Sequence, residues 1–166
     1  MRQHNVALLA LLFLSCNGFV GEANVEVPAG APISIVDPEY VVLRPVTATA
    51  TPGAIAATVF GQTVYFIPSE RVLDLRHLDP RTAKVEERPV GTYVVSIGTT
   101  PEGDHLLGSW TSANIEKQLG VFVGDSLVSA PLIKSKITGM VILDGGFTRP
   151  QAEAVVERLR RGGSEA

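Results

Sequence analysis

The chain has 166 residues, of which 45% are hydrophobic and 19% are charged, and its formal net charge at pH 7 is −3. This length fits one ordinary domain, and a weakly acidic chain without a Lys/Arg block has no electrostatic footprint for nucleic acid. The chain contains a single cysteine, so it cannot form an intramolecular disulfide and its stability must come from packing.

An export signal is predicted at residues 1–23. Arg2 supplies the positive charge, and the apolar run at 6–14 is too short to cross a membrane, which takes ~20 apolar residues. Two cleavage sites compete. Cys16 follows the apolar run as in a bacterial lipobox, and its lipidation would anchor the protein to a membrane, whereas cleavage after Ala23 would release it. Both alternatives place the protein in the periplasm or at the cell envelope.

Residues 24–54 are expected to form a proline- and threonine-rich tether that carries two short strands, at 33–36 and 40–43. Five prolines disfavour helix in this segment, because proline lacks the backbone donor and restricts the residue before it. The folded domain is expected at 55–163. No apolar run after the export signal is long enough to span a membrane.

The first part of this domain has strand and turn signals. Alternating apolar residues at 58–67 predict a hairpin whose turn lies at Gly61-Gln62. A single helical turn is expected at 74–78, ending at Asp79-Pro80, and a further strand at 92–97. The carboxylates Glu86-Glu87 lie in a polar stretch and are interpreted as a solvated link between elements.

A helix is predicted from Thr100 to Leu119. Thr100 suits the N-cap, Pro101 suits the first helical position, and Gly120 is placed as the C-terminal stop. Three residues at helical spacing are expected to form its apolar face: Leu106, Trp110 and Ala113.

A second hairpin is predicted at 121–133, with Gly124-Asp125 as its turn and a positive φ at the glycine. A strand at 140–143 should end in a turn at 144–146. A last helix begins with the capping box Thr148 and Gln151. Its apolar stripe has the spacing of one helix face: Ala152, Val155, Val156 and Leu159.

The resulting order, β-α-β-β-β-α after a strand-rich extension, predicts an α+β domain. Both main helices are expected on one face of an antiparallel or mixed sheet.

No catalytic, metal or cofactor site is predicted. No serine lies in a G-x-S-x-G turn, and His77 and His105 have no His or Cys at the spacing of metal ligands. The informative residues are turns and sheet edges, which are the parts that a binding module uses. An exposed edge can add an extended peptide through main-chain hydrogen bonds. The candidate contact residues are four in and after the second hairpin: Gly124, Ser129, Ala130 and Pro131.

Several segments together resemble the head subdomain of the large periplasmic domain of SecD. They are the strand, turn and S-A-P motif at 119–133, I-T-G at 137–139, G-G-F-T at 145–148 and the final helix at 152–162. Residues 100–103 resemble the start of its first helix, and 64–66 and 72–75 resemble its preceding segments. The resemblance covers 62–162 and is most specific over 119–162.

The resemblance implies a link to protein export. SecD works with SecF beside the Sec translocon and uses the proton gradient, and its head contacts the emerging chain. This sequence lacks the D-x-x-G-G motif of the SecD base and any span for a proton relay after the signal. Proton-driven transport is therefore not implied.

The leading hypothesis is a non-enzymatic, extracytoplasmic binding module that contacts unfolded preprotein or Sec translocon components, held at the membrane by a lipid on Cys16. The alternative is an envelope lipoprotein that uses the same fold for a structural or partner-binding role unrelated to secretion.

Overall fold

The computed structural model describes residues 39–89 and 91–162. The export signal and the strand expected at 33–36 lie outside the described residues. The strands are β1 Val41–Val46, β2 Ile55–Val59, β3 Gln62–Phe66, β4 Leu73–Asp74, β5 Leu78–Glu87, β6 Tyr93–Thr99, β7 Gln118–Val123, β8 Ser126–Ser129 and β9 Met140–Phe147. A 3₁₀ turn at Leu75–His77 follows β4, and the α-helices are α1 Pro101–Ala113 and α2 Arg149–Gly162.

The predicted α+β class is confirmed, and the order β-α-β-β-β-α is found from β6 to α2. All strand pairs are antiparallel. The strands form three sheets where the sequence analysis expected one: β4-β1-β7-β8, β2-β3 and β5-β6-β9. The difference arises because β1 pairs with β7, so β7 and β8 join the N-terminal strands and leave β6 to pair with β5 and β9.

Strand β1 was grouped by the sequence analysis with the tether at 24–54. In the structure it is an inner strand, with β4 on one side and β7 on the other, and it lies with all the other described residues in one compact unit. It is longer than the segment expected at 40–43. Its pairing with β7 continues to Val46, which lies opposite Gln118.

Two hydrophobic clusters cover opposite faces of the four-stranded sheet. Because side chains alternate along a strand, Val42 and Phe122 lie on one face while Leu43 and Val121 lie on the other. The smaller cluster, on the first face, includes residues of the β2-β3 hairpin. The larger cluster, on the second face, includes residues of both helices and of the three-stranded sheet.

The turn of the β2-β3 hairpin lies one residue earlier than predicted, at Phe60-Gly61. Val59 is paired with Gln62, so Gln62 belongs to β3. Both turn residues have positive φ, +48° at Phe60 and +76° at Gly61, as a two-residue hairpin turn that matches the strand twist requires.

Helix α1 begins as predicted and ends earlier. The Thr100 hydroxyl accepts a hydrogen bond from the Gly103 N–H at 3.1 Å, which confirms the N-cap. The predicted end at Leu119 is wrong, because the helix ends at Ala113 with Asn114 as its C-cap. Gly120 lies in β7, where an added Cβ would come within 2.5 Å of Val46 Cγ1. This glycine permits close packing between strands.

The buried side of α1 also differs from the prediction. Four residues of this helix are buried: Gly103, Leu107, Gly108 and Thr111. Leu106 is 37% exposed and Ala113 is also exposed, so the buried side is shifted by one residue, about 100° around the helix. Trp110 is half-buried and packs against the larger cluster.

The stretch around Glu86 is a strand and not the predicted link. It forms the second half of β5, where Glu86 is paired with Val94. The Ser96 hydroxyl donates to Glu86 Oε1 at 2.8 Å. This hydrogen bond lowers the pKa of Glu86, and a hydrogen bond from Lys84 lowers it further. The strand also passes through Pro80, which β5 tolerates because it is an edge strand.

Strand β9 continues through the turn expected at 144–146. Gly146 has a φ of +63°, and the pairing register with β6 shifts between Leu143 and Phe147. A bulge therefore replaces the turn.

Helix α2 confirms its predicted limits and buried stripe. The Thr148 N–H donates to Gln151 Oε1 at 2.9 Å, which is one half of the expected capping box. The four stripe residues are at most 6% exposed: Ala152, Val155, Val156 and Leu159.

Candidate functional site

The β7-β8 hairpin carries the first candidate contact residue. Gly124 has a φ of +57°, as the sequence predicted, and is exposed at the turn. Its N–H donates to the Tyr40 carbonyl at 2.8 Å. The hairpin tip is therefore tied to the residue before β1, which holds the turn in place.

The other three candidate residues follow directly along the same edge. Ser129 is the last residue of β8 and is paired with Val121. Beyond it the chain continues to pair with β7, since the Pro131 carbonyl accepts from the Leu119 N–H at 3.0 Å. The structure thus brings Ser129, Ala130 and Pro131 together on one segment, with Gly124 at the other end of the hairpin.

This segment forms an edge with main-chain groups directed outward. Strand β8 is the last strand of its sheet. Alternating residues of an antiparallel pair direct their N–H and C=O groups to the partner or away from it. The Pro131 carbonyl accepts from Leu119 of β7, the Ile133 N–H donates to the carbonyl of Lys117 just before β7, and Leu132 forms the bridge with Gln118 between them. The N–H and C=O of Ala130 and Leu132 therefore point away from β7.

Leu132 was missed by the sequence analysis. Its side chain is 42% exposed. Its main-chain N–H and C=O also point away from β7, so both could contact a bound peptide. Main-chain directions alternate along a strand, so Leu132 points its N–H and C=O the same way as Ala130. This alternation after Pro131 was the sequence feature that could have identified Leu132. The Ala130 carbonyl is already used, because Gln118 Nε2 donates to it at 3.2 Å.

The edge presents main-chain groups of the kind that can pair with an extended peptide. An exposed ion pair between Lys134 and Glu116, at 3.2 Å, lies beside this edge. Within residues 39–89 and 91–162 no group of three His, Cys, Asp or Glu side chains could hold a metal ion.

A separate polar cluster surrounds Asp74, whose side chain is fully buried. Arg76 donates to both carboxylate oxygens, at 3.2 and 2.7 Å, and the Asp74 N–H donates to His77 Nδ1 at 3.2 Å. Burial raises the pKa of Asp74, but the hydrogen bonds and the charge of Arg76 outweigh it and lower the pKa overall. The cluster caps the 3₁₀ turn, which gives His77 a structural role.

The family follows from a match to a family model. The model of the SecDF P1 head subdomain matches residues 53–164, which is more than half of the chain. The chain belongs to this family. The resemblance found on the sequence at 62–162 is thereby confirmed.

Curated relatives agree with this assignment. Protein translocase subunit SecD of Dictyoglomus turgidum is 35% identical over 83 residues, covering 49% of this chain and 21% of that protein. The SecD of Elusimicrobium minutum is 38% identical over 68 residues, covering 41% of this chain and 14% of that protein. The chain therefore spans about a fifth or less of the length of these relatives.

A solved structure shows the same fold. A SecDF structure, described as that of a membrane component that enhances protein export, matches with a TM-score of 0.57 at 20% identity. The match covers 74% of this chain and 62% of that one. None of the helices in the described part of the SecDF head-like chain is both long enough and apolar enough to cross a membrane. Cys16, the candidate lipidation site, lies outside the described residues.

Proposed function

We propose that this SecDF head protein is a non-enzymatic binding module that works outside the cytoplasm and contacts exported polypeptide or components of the Sec translocon. Its family supports the proposal, since the curated relatives are protein translocase subunits. The family model that matches is that of the head subdomain. We therefore propose binding for this protein and do not propose transport.

The observation that carries the proposal is the outward edge at Leu132, whose main-chain groups point away from β7 and whose side chain is exposed. An exported polypeptide is unfolded while it crosses, and main-chain hydrogen bonds to a sheet edge make little demand on its sequence. Gly124 keeps the hairpin turn tight, and the edge continues from Ser129, the last residue of β8, through Ala130 and Pro131.

The proposed location is the periplasm or the outer face of a membrane. SecD head domains are periplasmic, which supports it. In this proposal a lipid on Cys16 anchors the protein, or cleavage after Ala23 releases it.

A second candidate function is an envelope lipoprotein in which the same fold binds another partner. The match to SecD extends over only 21% of that protein, so the fold alone does not carry the activity of SecD. The two candidates differ in what lies against the Leu132 edge.

The test is site-specific photo-crosslinking of the full chain in cells. A photoreactive amino acid is placed at Leu132 and, as a control, at His105, an exposed residue of α1. During export of a stalled secretory protein, we expect adducts with that protein or with Sec translocon subunits from Leu132 and none from His105. Adducts with an unrelated envelope protein would favour the second candidate, and the absence of any adduct specific to Leu132 would refute both.

A further inference from the structure

A second sheet edge lies at β5. In the three-stranded sheet β5 pairs with β6 alone among the described strands. The Arg88 N–H donates to the Thr92 carbonyl at 2.8 Å, and the register continues from there to the pair Glu86 and Val94. Alternation then directs the N–H and C=O groups of Val85 and Glu87 away from β6.

Helix α2 forms a wall along this edge. A groove of about 600 Å³ runs between them, within the size range of ligand sites. Val85 of β5 and Val156 of α2 give it an apolar floor. Lys84 and four charged residues of α2 form its rim: Glu153, Glu157, Arg160 and Arg161. An edge strand beside a helix is the arrangement in which a peptide can pair by main chain and place side chains in a groove.

Arg160 closes one end of the edge. Its guanidinium donates to the Ala83 carbonyl at 2.7 Å, two residues before Val85. The free main-chain groups therefore begin at Val85. Within the described part of the chain, no backbone hydrogen bond joins Val85 or Glu87 to another segment outside the sheet.

The rim charges differ in how they are paired. Lys84 pairs with Glu86 at 3.0 Å, and Arg161 pairs with Glu157. Among the described residues no carboxylate lies within ion-pair distance of Arg160. Its guanidinium uses one donor on Ala83 and has others available, since the group carries five N–H donors.

We propose that this groove binds an extended segment of another polypeptide as an added strand on β5. The segment pairs by main chain with Val85 and Glu87, places an apolar side chain on Val85 and Val156, and presents a carboxylate to Arg160. The groove is formed by β5 and α2, so this proposal is independent of the one made for the Leu132 edge.

The binding test uses the full chain and a fluorescent eight-residue peptide of alternating Val and Thr with Asp at both ends. We expect it to bind at least tenfold more tightly than the matched peptide with Lys at both ends. Arg160→Gln should remove most of this preference, while Arg161→Gln, whose parent side chain already has a partner, should keep it. Equal binding of both peptides, or loss of preference in Arg161→Gln alone, would contradict the proposal.

Amide hydrogen exchange locates the bound peptide. Val85 and Glu87 should gain protection when the acidic peptide is added, and Leu132 should not. Two peptides, N-methylated at the odd or at the even amides, separate the two faces of the peptide backbone. The one whose methylated amides face β5 should fail to bind, and the other should bind. Protection at Leu132 alone would support the proposed function and overturn this inference. Protection of Val85 and Glu87 before peptide is added would show that a second copy or another part of the chain fills the groove, which would also overturn it.

Discussion

Asp74 is the residue on which the start of the 3₁₀ turn depends. Its buried carboxylate accepts hydrogen bonds from the side chain and the N–H of Arg76, and its own N–H is held by His77. The sequence showed an Asp before a helical turn, which indicates a cap. It did not show the burial, because the strands that enclose Asp74 come from distant parts of the chain.

We predict that Asp74→Asn lowers the free energy of unfolding at pH 7 by about 2 kcal/mol, because it removes charged hydrogen bonds from a buried group. The pKa of Asp74 is lowered in the fold. The stabilisation is therefore complete above the ordinary Asp pKa of ~3.9 and is lost as pH falls through the lowered folded pKa. Urea unfolding of both proteins between pH 7 and pH 3 measures this.

The control is Asp79→Asn. Asp79 accepts two hydrogen bonds from the exposed side chain of Arg81, at 2.9 and 3.0 Å. We expect a smaller loss of stability than in Asp74→Asn, since exposed pairs contribute little. A difference between wild type and Asp74→Asn that stays constant down to pH 3 would contradict the assigned cause.

At the scale of elements, α1 packs against the 3₁₀ turn through a glycine. A Cβ at Gly103 would overlap the carbonyl oxygen of His77. The same carbonyl accepts from the Thr100 N–H at 2.9 Å. The contact therefore fixes where the helix starts and which side it buries.

We predict that Gly103→Ala lowers the free energy of unfolding by about 2 kcal/mol. The added methyl group forces α1 away from the turn, and this cost exceeds the gain of about 1 kcal/mol that alanine has over glycine in a helix. Chemical denaturation measures the change.

Ser109→Ala is the matched control, since Ser109 is exposed on the same helix. We expect it to change stability by less than about 0.5 kcal/mol. A Gly103→Ala protein as stable as wild type would show that α1 does not pack on His77 as described.

The elements differ in how far they could be predicted. Helix α2 was predicted with its buried stripe because its apolar residues repeat at helical spacing. The end of α1 was not, because the segment after Ala113 carries no strong stop and its structure depends on pairing with β1. Strand β5 was missed because an edge strand with one solvated face contains many polar residues.

At the scale of the whole molecule, we propose that the N-terminal segment determines where the head domain works. The chain carries an apolar run followed by Cys16. If the cysteine is lipidated, the protein is held at a membrane by acyl chains.

We predict that wild-type protein expressed in a diderm bacterium fractionates with membranes and that Cys16→Ala moves it to the periplasmic fraction. Mass spectrometry of the mature N-terminus checks the cause. A lipidated Cys16 supports the anchor, whereas a free N-terminus at Asn24 in the wild-type protein would contradict it and support release.

The local geometry of the candidate site was predicted in part, and its role in contacts stays a prediction. Gly124 was found because a two-residue turn requires positive φ, and Pro131 indicated an edge. Leu132 was missed because the direction of a main-chain group depends on pairing with Gln118, and pairing is not encoded in any one segment.

The sequence by itself determined the α+β class, the capped final helix, the tight turn at Gly124 and the resemblance to the SecD head. These features depend on local periodicity, φ preferences and contiguous motifs. Only the tertiary structure decided how the strands divide among three sheets, which side of α1 is buried and which edges face outward. Those outcomes depend on contacts between residues far apart in the chain, such as β1 with β7, whose free energy comes from the burial that both strands achieve together.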